Sequence, residues 1–342
     1  MDKSAKLLWL SQEDVIATGV LDEGIGHIID AEVKAYSLIA NGEGADPVAP
    51  QVHFQGEQAG NIFAIHPAWV AGDVNVAGMK LGARAPENRK VGMPSITSIV
   101  EMIDPENGRP FCIGDSTLMT AYRTGATTGV GARYFARKDS EVVGLCGASV
   151  MGRPQIMAIC NELKNIKEIR LFDLYQEKAE AFKAEMEPII GKTITVVDSA
   201  EKALKDADVI APTTLVSAKN AYIKPEWIKP GAFCSNISDN DYTFDAIKKM
   251  DRICYDSKKQ FGIPVTMGLM KEAGLLNPDD CVQIGDVING KSLGRQSDKE
   301  ICFFTSIGMG ITDLIVMKKI YDVAVEKGIG TELTLWNSPR WA

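Results

Sequence analysis

The sequence predicts an α/β protein built on a parallel sheet, and three observations predict it. From about residue 141 to residue 255, short apolar runs alternate with helical ones. A small-residue turn, Gly147-Ala148-Ser149-Val150-Met151-Gly152, joins the first of those strands to the first helix. The flanking chain has a different rhythm, with longer strand-like runs before the block and one long amphipathic stretch after it. Strands that alternate with helices form βαβ units, which close into a parallel sheet.

The first 125 residues supply helical patterns at 10–15 and 24–40, the second through Ile25, Ile28, Ile29, Val33 and Leu38. Segments 74–81 and 96–103 read as strands, and Asp104-Pro105-Glu106-Asn107-Gly108 is a turn that joins two of them. In the central block, strand 141–146 enters the small-residue turn and helix 155–163 follows, with Pro154 in its first turn. Then come strand 168–172, helix 176–190, strand 194–197, helix 199–207, and strands 208–211, 232–237 and 252–255. After Gly310, residues 311–326 form an amphipathic helix. A chain that leaves one domain for a βαβ domain often returns, so this tail is expected to pack on the first domain.

Length and charge narrow the class. A chain of 342 residues is long enough for about two domains. A net charge of −8 leaves no basic face for phosphates, so nucleic acid is excluded as a partner. No apolar run reaches the roughly 18 residues of a membrane span, and the first residues lack a signal peptide's apolar core. Seven dispersed cysteines suggest no disulfide framework, and three histidines without an HExxH pair suggest no metal. A soluble, cytoplasmic protein is expected.

The turn after residue 146 carries the clearest chemistry. A GxGxxG-like turn between a strand and a helix brings backbone N–H groups close to a pyrophosphate at the positive end of the helix. Gly147 is the first glycine of that pattern and Ser149 replaces the second. Asp173 ends the next strand, where a carboxylate accepts from an adenosine ribose and repels a 2′-phosphate, so NAD(H) is the expected cofactor. The alternative is a flavodoxin-like sheet whose glycines serve packing. A hydrolase elbow GxSxG fails at Met151.

Lys80 and Arg123 lie in apolar or small-residue runs, where a cation needs an anion: a substrate carboxylate or a structural partner. Asp239 and Asp241 follow strand 232–237, at the end where open α/β sheets bind ligands. The alternative for Asp241 is capping of helix 244–250, a role Thr243 also fits. His53 and His66 are either site residues or satisfied imidazoles.

Taken in order, Gly78-Met79-Lys80, Asn88 with Gly92-Met93-Pro94, Asp104–Gly108, Arg123-Thr124-Gly125-Ala126, the Gly147–Gly152 turn, Ala207-Asp208-Val209-Ile210, Pro230-Gly231, Gly294-Arg295 and Ser306-Ile307-Gly308 resemble the ornithine cyclodeaminase/mu-crystallin family over nearly the whole chain. The resemblance implies a Rossmann domain at 126–312, inserted in an α+β substrate and dimerisation domain built from 1–125 and 313–342, in a homodimer. It implies that Lys80 and Arg123 hold the substrate, with Arg123 on its carboxylate. An aspartate after the Pro230-Gly231 strand is the implied acid/base, and Asp239 and Asp241 flank the aligned position. Val150 and Met151 are implied at the pyrophosphate, Asp173 at the ribose, Thr213 or Thr214 at the cofactor, and Ser306 at the nicotinamide end.

Departures from the pattern mark the substrate end. An arginine of the family is missing near residues 50–54, where Gln51 or His53 stands, and His66 replaces a methionine beside the substrate pocket. Met151 replaces a glutamine. The implied activity is NAD(H)-dependent hydride transfer at the α-carbon of a small amino or imino acid, by cyclodeamination or oxidative deamination. Imine reduction and cofactor binding without turnover are the alternatives.

Overall fold

The computed structural model describes residues 4–238 and 240–340. The chain forms two compact units: one runs to Arg123 and resumes at Met309, and the other is Thr124–Gly308. The sequence expectation placed these divisions at 125/126 and 312/313.

The first unit opens with β1 (Ala5–Leu10) and α1 (Gln12–Ala17). The helix expected over 10–15 starts later because Ser11 caps it: its hydroxyl accepts from Asp14 N–H while the Asp14 carboxylate accepts from Ser11 N–H. Leu10 instead closes a strand. Next come α2 (Ile25–Ala40), the short β2 (Gly44–Ala45) and β3 (Gln51–His53), β4 (Ile62–Val70), β5 (Val76–Arg84), β6 (Ile96–Ile103) and β7 (Pro110–Asp115). Neither β4 nor β7 was legible in the sequence. Pro67 argues against a strand interior, yet in β4 it lies between the stretches that pair with β3 and β2, where no partner needs its N–H. Helix α3 (Thr117–Phe135) then carries the chain from the first unit into the second.

The second unit continues with β8 (Val142–Cys146), α4 (Gly152–Glu162), β9 (Glu168–Phe172), α5 (Gln176–Ile190), β10 (Thr193–Val196), α6 (Ala200–Leu204), β11 (Val209–Pro212) and β12 (Phe233–Asn236). Helix α7 (Phe244–Lys248), β13 (Arg252–Tyr255), α8 (Thr266–Glu272), β14 (Val282–Gln283), α9 (Ile284–Ile288) and β15 (Cys302–Thr305) complete it. Every pairing is parallel, in the order β10-β9-β8-β11-β12-β15-β13-β14. The order reverses between β8 and β11, so their carboxyl ends flank the crevice where such sheets bind ligands. Apolar strands buried on both faces read as continuous runs, which is why this half was legible. Phe303, Tyr242, Ile210 and Ile247 lie in its core, each buried side chain stabilising by roughly 1.5–3 kcal/mol.

The chain returns to the first unit as α10 (Gly310–Lys327) and β16 (Thr331–Trp336). The sheet order there is β16-β1-β7-β6-β5-β4-β2, with β3 beside β4. Helix α10 packs against α2 and across β4 and β5, burying Ile311, Leu314, Met317 and Ile320. Its first residue must be small: a Cβ on Gly310 would lie 2.7 Å from the His66 carbonyl oxygen.

Candidate active site

In the second unit, β8 ends in the glycine turn at the point where the strand order reverses. Gly147 adopts φ +103, and a Cβ there would meet Thr213 Oγ1 at 2.7 Å. Thr213 knots the turn to β11: its N–H donates to Cys146 O at 2.7 Å and its hydroxyl to Gly147 O at 2.9 Å. Ser149, in place of the second glycine, donates to Thr213 Oγ1 and accepts from Gly152 N–H, closing the turn on the start of α4. Val150 projects to solvent at 64 % exposure, and Met151 precedes α4.

Asp173 follows β9 and ties it to the turn, accepting from Ala148 N–H at 2.8 Å and Tyr175 N–H at 2.9 Å. Each of its oxygens keeps a lone pair for a ribose hydroxyl. Beside it opens a cleft of about 490 Å³, lined by Phe172, Asp173, Leu174, Val196, Val197 and Asp198. A cleft with apolar side chains between polar ones, Asp173 among them, next to a glycine turn at a helix start, fits an adenosine and its pyrophosphate.

Thr214 and Asp241 form a separate knot. The Asp241 carboxylate is fully buried and accepts from the hydroxyls of Thr214 and Ser238, while its carbonyl accepts from Tyr222 and Ile223 N–H. Thr243, not Asp241, caps α7. Asp239 lies outside the described residues. Ser306 donates to Asp256 at 2.7 Å, and the same carboxylate accepts from Ile307 and Gly308 N–H. Burial pushes the Asp256 carboxyl up to about 6 against the pull of those donors.

The first unit brings Lys80 and Arg123 together on a residue that the sequence did not single out. Asp313, in the first turn of α10, takes Lys80 Nζ at 2.8 Å and Arg123 Nε at 2.9 Å, and all three side chains are buried. Burial and the Arg123 charge push the Lys80 ammonium down to about 8, with Asp313 pulling the other way. Burial opposes ionisation of Asp313, but Arg123 and Lys80 outweigh it and hold the carboxyl below its usual range. Glu32 and Tyr36 of α2, both buried, also act on Arg123. His66 is the cross-strand partner of Lys80, whereas His53 is exposed on β3. The signal for Asp313 was present in the sequence: one acidic residue inside the apolar run Gly310–Met317 needs a buried cation. Asp256 directly follows β13 and also accepts from Ser257 N–H and Gln260 Nε2, but its Ser306 partner lies 50 residues along the chain.

The model of the ornithine cyclodeaminase/mu-crystallin family matches residues 9–328. The chain belongs to that family. It is 30% identical to alanine dehydrogenase of Archaeoglobus fulgidus over 333 residues, 95% of this chain and 98% of that one. Among solved structures it resembles Thermococcus litoralis Δ1-pyrroline-2-carboxylate reductase in complex with NADH and L-proline. That likeness has a TM-score of 0.86 and 28% identity, over 95% of this chain and 99% of that one. An archaeal alanine dehydrogenase dimer with bound NAD also gives a TM-score of 0.86, at 29% identity, over 97% and 100% of the two chains. The turn after β8 is thus built with Ser149 at its third position and Thr213 as the side chain that closes it.

Proposed function

We propose that the chain is an NAD(H)-dependent enzyme that moves hydride at the α-carbon of a small amino or imino acid. The observation that carries this is the pair of buried cations, Lys80 and Arg123, aligned on Asp313. Asp313 fixes both cations in place, and a guanidinium matches a carboxylate in geometry. The alanine and pyrroline-2-carboxylate enzymes that the chain resembles have substrates of that kind.

Bound nicotinamide supplies the acceptor or donor of hydride. Arg123 holds the substrate carboxylate and thereby orients the α-carbon. In oxidation the Cα–H bond gives up its electron pair and a C=N bond forms as the nitrogen loses a proton. Lys80, ionising near 8, is poised to take or return that proton. Asp239 is the second proton carrier in this reading, because Asp241 is held by two hydroxyls inside the fold. Water attack on the imine releases ammonia, and an internal amine gives a ring instead. Gly147, Ser149, Val150, Met151 and Thr213 cradle the pyrophosphate, Asp173 holds the ribose, and the Ser306 segment borders the nicotinamide, with Thr214 bracing the loop beside it.

The test is incubation with NAD+ and a panel of amino acids, following NADH and ammonia separately. NADH in step with ammonia marks a dehydrogenase, and ammonia without net NADH marks a cyclodeaminase. Oxidation of NADH by cyclic imines alone marks a reductase, a second reading favoured by the pyrroline-2-carboxylate reductase likeness. Silence in every arm would sink the proposal.

The assembly is a homodimer in this reading. Register places Phe63, Ile65, Trp69, Met79, Leu81 and Ile99 on the sheet face opposite Lys80, an apolar surface suited to a second copy, and the related alanine dehydrogenase is a dimer. Among the described residues no helix is long and apolar enough to cross a membrane. The seven free thiols fit the cytoplasm, where we place the protein.

A further inference from the structure

The sheet face that carries Lys80 holds a second cation, Arg84, and two imidazoles. Directly paired residues of an antiparallel sheet share a face, and three successive rows follow from the register. The first joins His66, Lys80 and Val100; the second, Gln51, Ala64, Gly82 and Ser98; the third, His53, Ile62, Arg84 and Ile96. Two of the chain's three histidines therefore stand on this face with Lys80 and Arg84.

The middle row is low because it is built on Gly82 and Ala64. Glycine inside a strand weakens it and commonly marks a bulge, a tight bend or the close approach of a ligand. The register through Gly82 is unbroken, and its φ is not in the left-handed range. A Cβ there would sit at ordinary contact distance, 3.7 Å from Ser98 Cβ and 4.0 Å from Lys80 Cε. Neither backbone nor packing within this unit requires the glycine, and the close approach of a ligand does.

Arg84 stands at the far side of the trough. It makes no ion pair among the described residues, and its Nε is buried without a hydrogen-bond partner there. Four residues along a strand separate the Lys80 and Arg84 backbones by about 13 Å. Lys80 Cε lies over Gly82, so the side chains close much of that span. In a chain of net charge −8, a half-buried guanidinium without an ion pair, two rows along the face from a carboxylate site, calls for a second anion.

We propose that the substrate is an amino or imino acid with a second acidic group, its α-carboxylate at Arg123 and Lys80 and its second carboxylate at Arg84 across the Gly82 trough. The assignment rests on the proposed function, because it takes the Lys80–Arg123 end as the α-carboxylate site. His53, at the edge of the same row, adds a donor for the second carboxylate.

The test compares binding of 2-oxoglutarate and oxaloacetate with binding of pyruvate to the NADH-loaded protein by calorimetry. The dicarboxylates bind about tenfold or more tightly than pyruvate, Arg84→Gln removes that preference, and pyruvate and NADH binding stay as they were. Gly82→Ala leaves the melting temperature unchanged or higher yet weakens the dicarboxylates. Equal affinity for all three acids in the unaltered protein overturns the second-anion site alone, as does an Arg84→Gln variant that keeps the preference or loses NADH instead. Undiminished dicarboxylate binding by Gly82→Ala overturns the trough. If NADH binds but none of the acids does, the proposed function falls with it.

Discussion

Without the Asp313 carboxylate, Lys80 and Arg123 would face each other as like charges in a buried space. Breaking such a pair from one side costs about 3–5 kcal/mol, so Asp313→Asn is expected to lower the melting temperature by many degrees. NADH binding should survive, since the dinucleotide turn lies in the other unit. Lys80 adds a pH dependence with a definite sign. It ionises at about 8 in the folded chain against an ordinary 10.5, so the unfolded chain holds more protons between those values. Stability therefore rises with pH across that window, and the full cost of burying the ammonium is present below it. As the group that takes the nitrogen proton in oxidation, Lys80 acts in its neutral form, so kcat/KM for oxidation is expected to rise with pH through about 8. Lys80→Arg, which stays charged, should lose that limb together with most of the oxidation rate while NADH still binds; a limb left in place would assign it to another group. Asp173→Ala is expected to narrow the preference for NADH over NADPH, read as the ratio of the two affinities.

Among the elements, the glycine turn is the most exposed to a small change. Gly147→Ala forces a side chain into φ +103 and against Thr213, a strain of roughly 1–3 kcal/mol, and displaces the backbone that approaches the pyrophosphate. NADH binding is expected to fall sharply in titrations, while the carboxylate site of the other unit is untouched. This turn was legible because its chemistry is local: strand, glycine, helix and aspartate lie within one βαβ unit. Strands β9 and β13 were legible for a related reason, as short segments with apolar residues between helical patterns. Strand β4 was not, since Pro67 and His66 break its pattern and only the gap between β3 and β2 makes the proline tolerable. The Lys80–Arg123–Asp313 cluster was read only as two unexplained cations, and the lone acid in Gly310–Met317 was not joined to them. Its anion arrives on α10, far along the chain, and no local spacing connects them.

At the scale of the molecule, the apolar face around Leu81 and Ile99 predicts the state of association. Leu81→Lys together with Ile99→Lys should convert a dimer into a monomer by sedimentation, with the far-ultraviolet circular dichroism of the fold retained. A dimer that persists would move the interface elsewhere. The interleaved order of the two units also has a consequence for how the chain is made. Domains fold as they emerge from the ribosome, amino-terminal parts first, but here the first unit cannot be completed first. Lys80 and Arg123 are synthesised long before Asp313, and β1 waits for β16, which follows α10. The inserted unit, contiguous from Thr124 to Gly308, emerges whole while its host is still missing a helix and an edge strand. A ribosome that stalls before α10 therefore leaves a chain with a complete inserted unit and, in its unfinished host, two cations without their carboxylate beside an uncovered sheet, a product exposed to aggregation or proteolysis.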